Sequence, residues 1–197
     1  MKNRSITKDE INELPIIRFQ GKMHVITHRE DCLNAIDTLR SKNILGFDTE
    51  TRPAYRKGVE YKISLLQLST NENAYLFRLN KLTFVRELQD LLANTDIIKA
   101  GVAVRDDIKG LRKLSKFEPG HFIEIADLAK KLNIKQLGLR SLAAILLDRR
   151  VSKQFKLTNW ELPELSEEQL RYAATDAWIG LQLYNKISAI LKQESQL

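Results

Sequence analysis

Apolar and polar positions along the chain follow two periods, and the switches between them mark the elements. Residues 22–27 (KMHVIT) read as a short strand. Thr27 followed by Glu30 predicts a capping box, with a helix over 29–41. Residues 44–50 (ILGFDTE), 62–69 (KISLLQLS) and 73–78 (NAYLFR) read as strands, and RPAYRKGVEY, with Pro53 and Gly58, as the loop between the first two. A helix is expected over 82–93. A short strand over 97–101 enters a helix over 104–115, and residues 121–127 read as strand running into helix. Residues 139–147 form an apolar helix. The last and longest helix starts near Ser166, capped with Gln169, and runs past Tyr184. Strands cluster first and then mix with helices, which predicts an α/β fold: one mixed sheet with helices packed on it. Residues 1–14 are polar and expected to be loosely held, leaving 15–197 as a single domain.

Composition narrows this picture. The chain has 197 residues, 43% hydrophobic and 29% charged, enough to fill one core and too apolar for disorder. No apolar run approaches a membrane span, and the opening residues carry charges where a signal peptide needs an apolar stretch. Cys32 is the single cysteine, which excludes an internal disulfide and a cysteine-rich zinc site and fits a reducing, cytoplasmic setting. The net charge of +7 draws the protein toward polyanions such as nucleic acid.

Against that basic background, three segments carry carboxylates on one-sided faces. Asp48 and Glu50 alternate in a strand, so both face one side while Phe47 and Thr49 face the other. Taken alone, a D-x-E pair is as readily a solvated strand edge. In AGVAVRDDIKGL, Asp107 shares the helical stripe of Leu111 and Leu114, and Asp106 falls on the polar side. Asp107 is therefore the inward acid, although both acids also suit a helix N-terminus. In RYAATDAWIGLQLY, Tyr172 and Asp176 lie one turn apart on one face. Together the segments supply four carboxylates and a phenol. Oxygen donors of this kind suit Mg²⁺ or Mn²⁺ rather than zinc or copper.

These segments, in this order, resemble the three motifs of the DnaQ-like (DEDD) exonucleases in their tyrosine-bearing DEDDy branch: FDTE, KAGVAVRDDIKGL and YAATDAW with its Y-x-x-x-D spacing. The likeness is strongest to the Werner-type exonuclease domains and more distant to RNase D. It extends through ISLLQLS, GLRSLAAILL and NWELPELSEEQLRYAATDA, over residues 15–190. It implies a ribonuclease H-like mixed sheet flanked by helices. It also implies a 3′-5′ exonuclease releasing nucleoside monophosphates from nucleic acid, DNA favoured, with two Mg²⁺ or Mn²⁺ ions. Asp48, Glu50, Asp107 and Asp176 would hold the metal, and Tyr172 would orient the attacking water. The alternatives are an RNase D-like enzyme trimming RNA 3′ ends and a non-catalytic nucleic-acid-binding module.

Lys109 departs from the family pattern, which often has an aromatic there; a phosphate contact is expected instead. The basic stretch RRVSKQFKLTNW, with Lys153, Lys156 and Trp160, is the expected lining for the substrate strand, and Thr49 is a further expected substrate contact. For Trp160 a core position is the competing and stronger reading, because large aromatics are mostly buried. No membrane partner, helicase segment or accessory domain is expected from this sequence, and it leaves the oligomeric state open.

Overall fold

The computed structural model describes residues 5–195. Six strands form one mixed sheet: β1 (Lys22–Ile26), β2 (Ile44–Thr51), β3 (Ile63–Ser69), β4 (Asn73–Phe77), β5 (Ile98–Gly101) and β6 (Phe122–Glu124). Their order is β1-β4-β3-β2-β5-β6. The central β2–β3–β4 meander is antiparallel, and β1, β5 and β6 are added in parallel. Every residue of β3 is buried, because helices cover the sheet on both faces. That is why ISLLQLS reads as a nearly unbroken apolar run rather than an alternating one.

On one face lie α2 (Arg29–Arg40), α3 (Arg86–Ala93) and α4 (Val104–Leu114). Their apolar stripes, with Ile36, Leu39, Leu88, Leu91 and Leu111, meet Phe47, Leu66, Leu68 and Tyr75 from the sheet. The opposite face carries α7 (Glu167–Glu194), whose Ala173 and Ala174 pack with Leu65, Leu76, Phe19 and Trp160. At the β5 side, α5 (Ile125–Lys131) and α6 (Leu139–Leu147) join the second half of α7 around Ile179, Leu183 and Ile187. No helix among the described residues is long and apolar enough to cross a membrane.

Small residues set how closely α7 approaches the sheet. A Cβ on Gly46 would stand 2.0 Å from the Ala177 carbonyl oxygen, and one on Gly180 would stand 2.7 Å from that of Ala100. Glycine at both points lets the helix backbone touch β2 and β5, which brings Asp176 over the acids of β2.

Several boundaries differ from expectation, each for a local reason. Residues 5–14 are not loose: Thr7 and Glu10 form a capping box on α1 (Lys8–Glu13). Ile6 exchanges backbone hydrogen bonds with the Gln136 side chain at 2.7 and 2.8 Å. Residues 1–4 lie outside the described residues. The expected Thr27–Glu30 box is absent; α2 is capped at His28, one residue later, without a side-chain hydrogen bond. Helix α3 starts at Arg86 rather than 82, because a turn follows β4 first: the Arg78 carbonyl accepts the N–H groups of both Lys81 and Leu82. The Ser166–Gln169 box on α7 is present as expected.

Candidate active site

Strand β2 carries Asp48 and Glu50 on the face turned to α7, and α7 lowers Asp176 onto them. One carboxylate oxygen from each of the three lies within 4.8 Å of the others. Asp176 is only 8% exposed, and its Oδ1 is buried with no hydrogen-bond partner. Three carboxylates at this distance repel one another and are poorly solvated. Burial, then the neighbouring Asp107, Asp176 and Glu50 charges, hold Asp48 well above the usual carboxylate range. Burial followed by the charges of Asp176 and Asp107 pushes Glu50 up to about 9. Burial pushes Asp176 up to about 7 despite the opposing pull of the Tyr172 hydroxyl and of Lys156. Such a set is satisfied either by protons or by a cation, and the Asp176 Oδ1 is a buried acceptor without a hydrogen-bond partner. The residues present thus fit a hard divalent ion with oxygen ligands.

Asp107 sits apart from this triad. It projects from the first turn of α4, where the Thr49 hydroxyl donates a hydrogen bond to its Oδ1 at 2.5 Å. Burial pushes Asp107 up to about 6, with the Thr49 hydrogen bond opposing and the Asp106 and Glu124 charges adding. Asp106 is exposed and pairs with Lys109 at 3.0 Å, so the helical periodicity assigned the inward acid correctly. The turn that starts α4 is held at Ala103, in the left-handed region at φ 66°, whose N–H is accepted by the Glu124 carboxylate at 3.0 Å.

Tyr172 lies one turn before Asp176. Burial, then the charges of Asp176, Glu50 and Asp48, raise its phenol above the ordinary tyrosine value. Its ring is packed against Phe155 and Trp160, with ring centroids 6.3 and 6.1 Å away. Trp160 itself is 0% exposed. The stronger of the two readings of Trp160, a core position, is the one observed, and the substrate contact is corrected: this aromatic backs the Tyr172 ring.

Acids and phenol line a cleft of about 500 Å³. Thr49, Lys153 and Lys156 also line it, so an acidic floor meets a basic rim. Lys109 is a second correction. It points to the outer side of α4, paired with Asp106, and is not part of the lining. One part of the wall was not anticipated: Gly138, Leu139, Arg140 and Ser141, where α6 begins. The signal for it was GLRS ahead of an apolar helix, a polar helix start that composition alone does not tie to a site. Among the described residues, no other group of His, Cys, Asp and Glu side chains is drawn together closely enough to hold a metal.

The sequence model of a 3′-5′ exonuclease domain matches residues 23–192, which contain every residue of this cleft named so far. The chain belongs to the 3′-5′ exonuclease family, of the DnaQ-like type. Among relatives of this chain, the mouse bifunctional 3′-5′ exonuclease/ATP-dependent helicase WRN is 30% identical over 194 residues. That match covers 93% of the chain but only 14% of the mouse protein. Ribonuclease D of Haemophilus influenzae is 30% identical over 166 residues, covering 82% of the chain and 40% of that protein. The chain thus spans less than half the length of either relative. In fold it is similar to the Aedes aegypti Nibbler EXO domain, with a TM-score of 0.79 at 20% identity over 87% of this chain and 89% of that one. Escherichia coli RNase D gives 0.79 at 22% identity, over 89% of this chain and 46% of that one.

Proposed function

We propose that this exonuclease is of the DEDDy type and hydrolyses the terminal phosphodiester of a nucleic-acid strand, 3′ to 5′, releasing nucleoside monophosphates. The observation that carries the reading is the convergence of Asp48, Glu50 and Asp176 within 4.8 Å, with Tyr172 one turn from Asp176 and Asp107 at the edge. The acids would hold two Mg²⁺ or Mn²⁺ ions, whose charge stabilises the attacking and leaving oxygens of such a displacement. Asp48, whose carboxyl feels the charges of the other three acids, would be the ligand shared by the ions, and Asp107 would act from farther off. Glu50 also takes the terminal 3′ hydroxyl. The raised phenol of Tyr172 stays protonated at neutral pH, so it orients the attacking water through a hydrogen bond rather than removing its proton. Lys153 and Lys156, on the rim, take the phosphates of the strand.

DNA is the first choice of substrate, on the likeness to DNA polymerase I of Aquifex aeolicus, 26% identical over 168 residues. The likeness to ribonuclease D supports trimming of RNA 3′ ends as the second reading. Wild type and Asp48→Ala/Glu50→Ala are assayed with Mn²⁺ on matched DNA and RNA strands labelled at the 5′ end. Wild type should shorten the strand by single nucleotides and the double variant should not. An inactive wild type, or a double variant of equal activity, removes the proposal. The ratio between the two substrates decides between DNA and RNA. Tight, salt-sensitive binding without turnover would mark a binding module instead.

A further inference from the structure

Gln67 lies at the centre of β3 and is 0% exposed. Neither its Nε2 nor its Oε1 has a hydrogen-bond partner. A buried amide with both ends unpaired is unfavourable, and a leucine or methionine would fill the same space without that cost. The strand register gives the amide a neighbour. Gln67 stands opposite Leu76 on β4 and opposite Asp48 on β2. Directly opposed residues of an antiparallel pair project to the same face, with Cβ atoms about 4.5–5.5 Å apart. In its row across the sheet, Gln67 thus has an apolar side chain on one side and the Asp48 carboxylate on the other.

Asp48 needs donors. It sits among Glu50, Asp107 and Asp176, and the hydrogen bond that favours its charge comes from the Thr49 backbone N–H. Ser69, the next β3 residue on this face, also has an unpaired hydroxyl, but that hydroxyl leans over Gly46, only 2.4 Å from where a Cβ there would stand. Gln67 carries two N–H donors on a side chain that reaches the carboxylate by rotation about its outer bonds.

We infer that Gln67 is a positioning residue, donating its amide N–H to the Asp48 carboxylate and fixing the direction in which that carboxylate presents its other oxygen to the cluster. The inference rests on the reading of the acids as a metal site. Groups that orient a ligand in this way act on metal affinity as well as on turnover.

The test is Mn²⁺ binding to the full chain, followed through the electron paramagnetic resonance signal of the free ion, for wild type, Gln67→Met and Ser69→Ala. Each protein is also melted without metal. Gln67→Met keeps the length of the side chain and removes both donors, and its affinity should fall roughly tenfold or more. Ser69→Ala removes a buried unpaired group on the same strand and should bind within about twofold of wild type. Metal-free Gln67→Met should melt no lower than wild type. Should the methionine variant not fold, Gln67→Leu serves in its place. Unchanged Mn²⁺ affinity in the Gln67 variant overturns the inference and leaves the amide a structural group, as does an equal loss in Ser69→Ala. A wild type that binds no Mn²⁺ overturns the metal-site reading itself.

Discussion

At the scale of single residues, the site depends on side chains that hold other side chains. Tyr172 is the clearest case, because its hydroxyl and its ring do different things. Phe155 and Trp160 fix the ring, so Tyr172→Phe keeps the packing and removes only the hydroxyl. The expected result is a fall in kcat of about 10²-fold with little change in KM, read from single-nucleotide release under saturating substrate. A variant with wild-type kcat would show that the phenol is not at the reacting centre. Thr49 is a less direct case. Its hydroxyl holds Asp107, and Thr49→Val keeps the shape of the side chain while freeing that carboxylate. Turnover should drop roughly tenfold, the scale on which groups behind a ligand act. Loss of the Asp107 carboxylate itself, in Asp107→Asn, should cost more; if Thr49→Val turns over like wild type, holding Asp107 is not what Thr49 does. The alternation of β2 placed Thr49 on the side away from Asp48 and Glu50, and α4 meets it there. Nothing in the spacing of FDTE shows that a helix fifty-odd residues later supplies its partner; the expected place of Thr49 beside the substrate stands next to this role, because Thr49 also lines the cleft.

At the scale of elements, the decisive geometry is the closeness of α7 to β2. Gly46→Ala would set a Cβ 2.0 Å from the Ala177 carbonyl, a clash with backbone that no side-chain rotation relieves. The helix must move outward, and Asp176 moves with it. The cost in stability is about 1–3 kcal/mol, seen as a lower melting temperature, and nuclease activity should fall far more than the remaining folded fraction explains. Full activity at a lowered melting point would mean that the site tolerates the displacement. This contact also marks the limit of what the sequence makes legible. Periodicity located all six strands and the six helices from α2 onward among the described residues, because each strand is a short apolar or alternating run between turn signals and each helix carries an apolar stripe at helical spacing. It also separated Asp107 from Asp106. It missed α1, whose polar surface carries a single buried apolar residue, Ile11, and it started α3 four residues early, since Leu82 is buried by a turn and not by a helix. Trp160 against solvent, Lys109 against the cleft and the wall at the start of α6 all depend on which elements meet across the sheet. No local pattern encodes those meetings.

For the whole molecule, the acids make stability and metal binding two sides of one equilibrium. Without metal, Asp107, Asp176 and Glu50 hold protons up to about pH 6, 7 and 9, against ordinary values of 3.8, 3.8 and 4.5. Between pH 4 and 9 the folded chain therefore binds more protons than the unfolded one, and its stability falls as pH rises through that window. The exposed acids whose values are lowered by Lys and Arg partners, such as Asp127 and Glu60, act only below about pH 4 and contribute little. Lys99, buried in β5 with its ammonium donating to the Asn94 carbonyl at 2.6 Å, is lowered to about 8 by burial and works in the opposite sense, adding stability as pH climbs from 8 toward 10.5. Asp176→Asn isolates the acid contribution. In metal-free buffer it should melt close to wild type at pH 4 and clearly above it at pH 8, where wild type carries the extra repulsive charge. Mn²⁺ at a hundred times its dissociation constant should then stabilise wild type by about 2.7 kcal/mol, or roughly 5–10 °C in melting temperature, at pH 8. The gain should shrink as pH falls and protons compete for the same oxygens. In Asp176→Asn it should be largely lost at every pH. Scanning calorimetry across pH with and without Mn²⁺ reads all of this. A metal-free Asp176→Asn that melts no higher than wild type at pH 8 would show that the three acids are not held together against their own repulsion, and the basis for a cation among them would be gone.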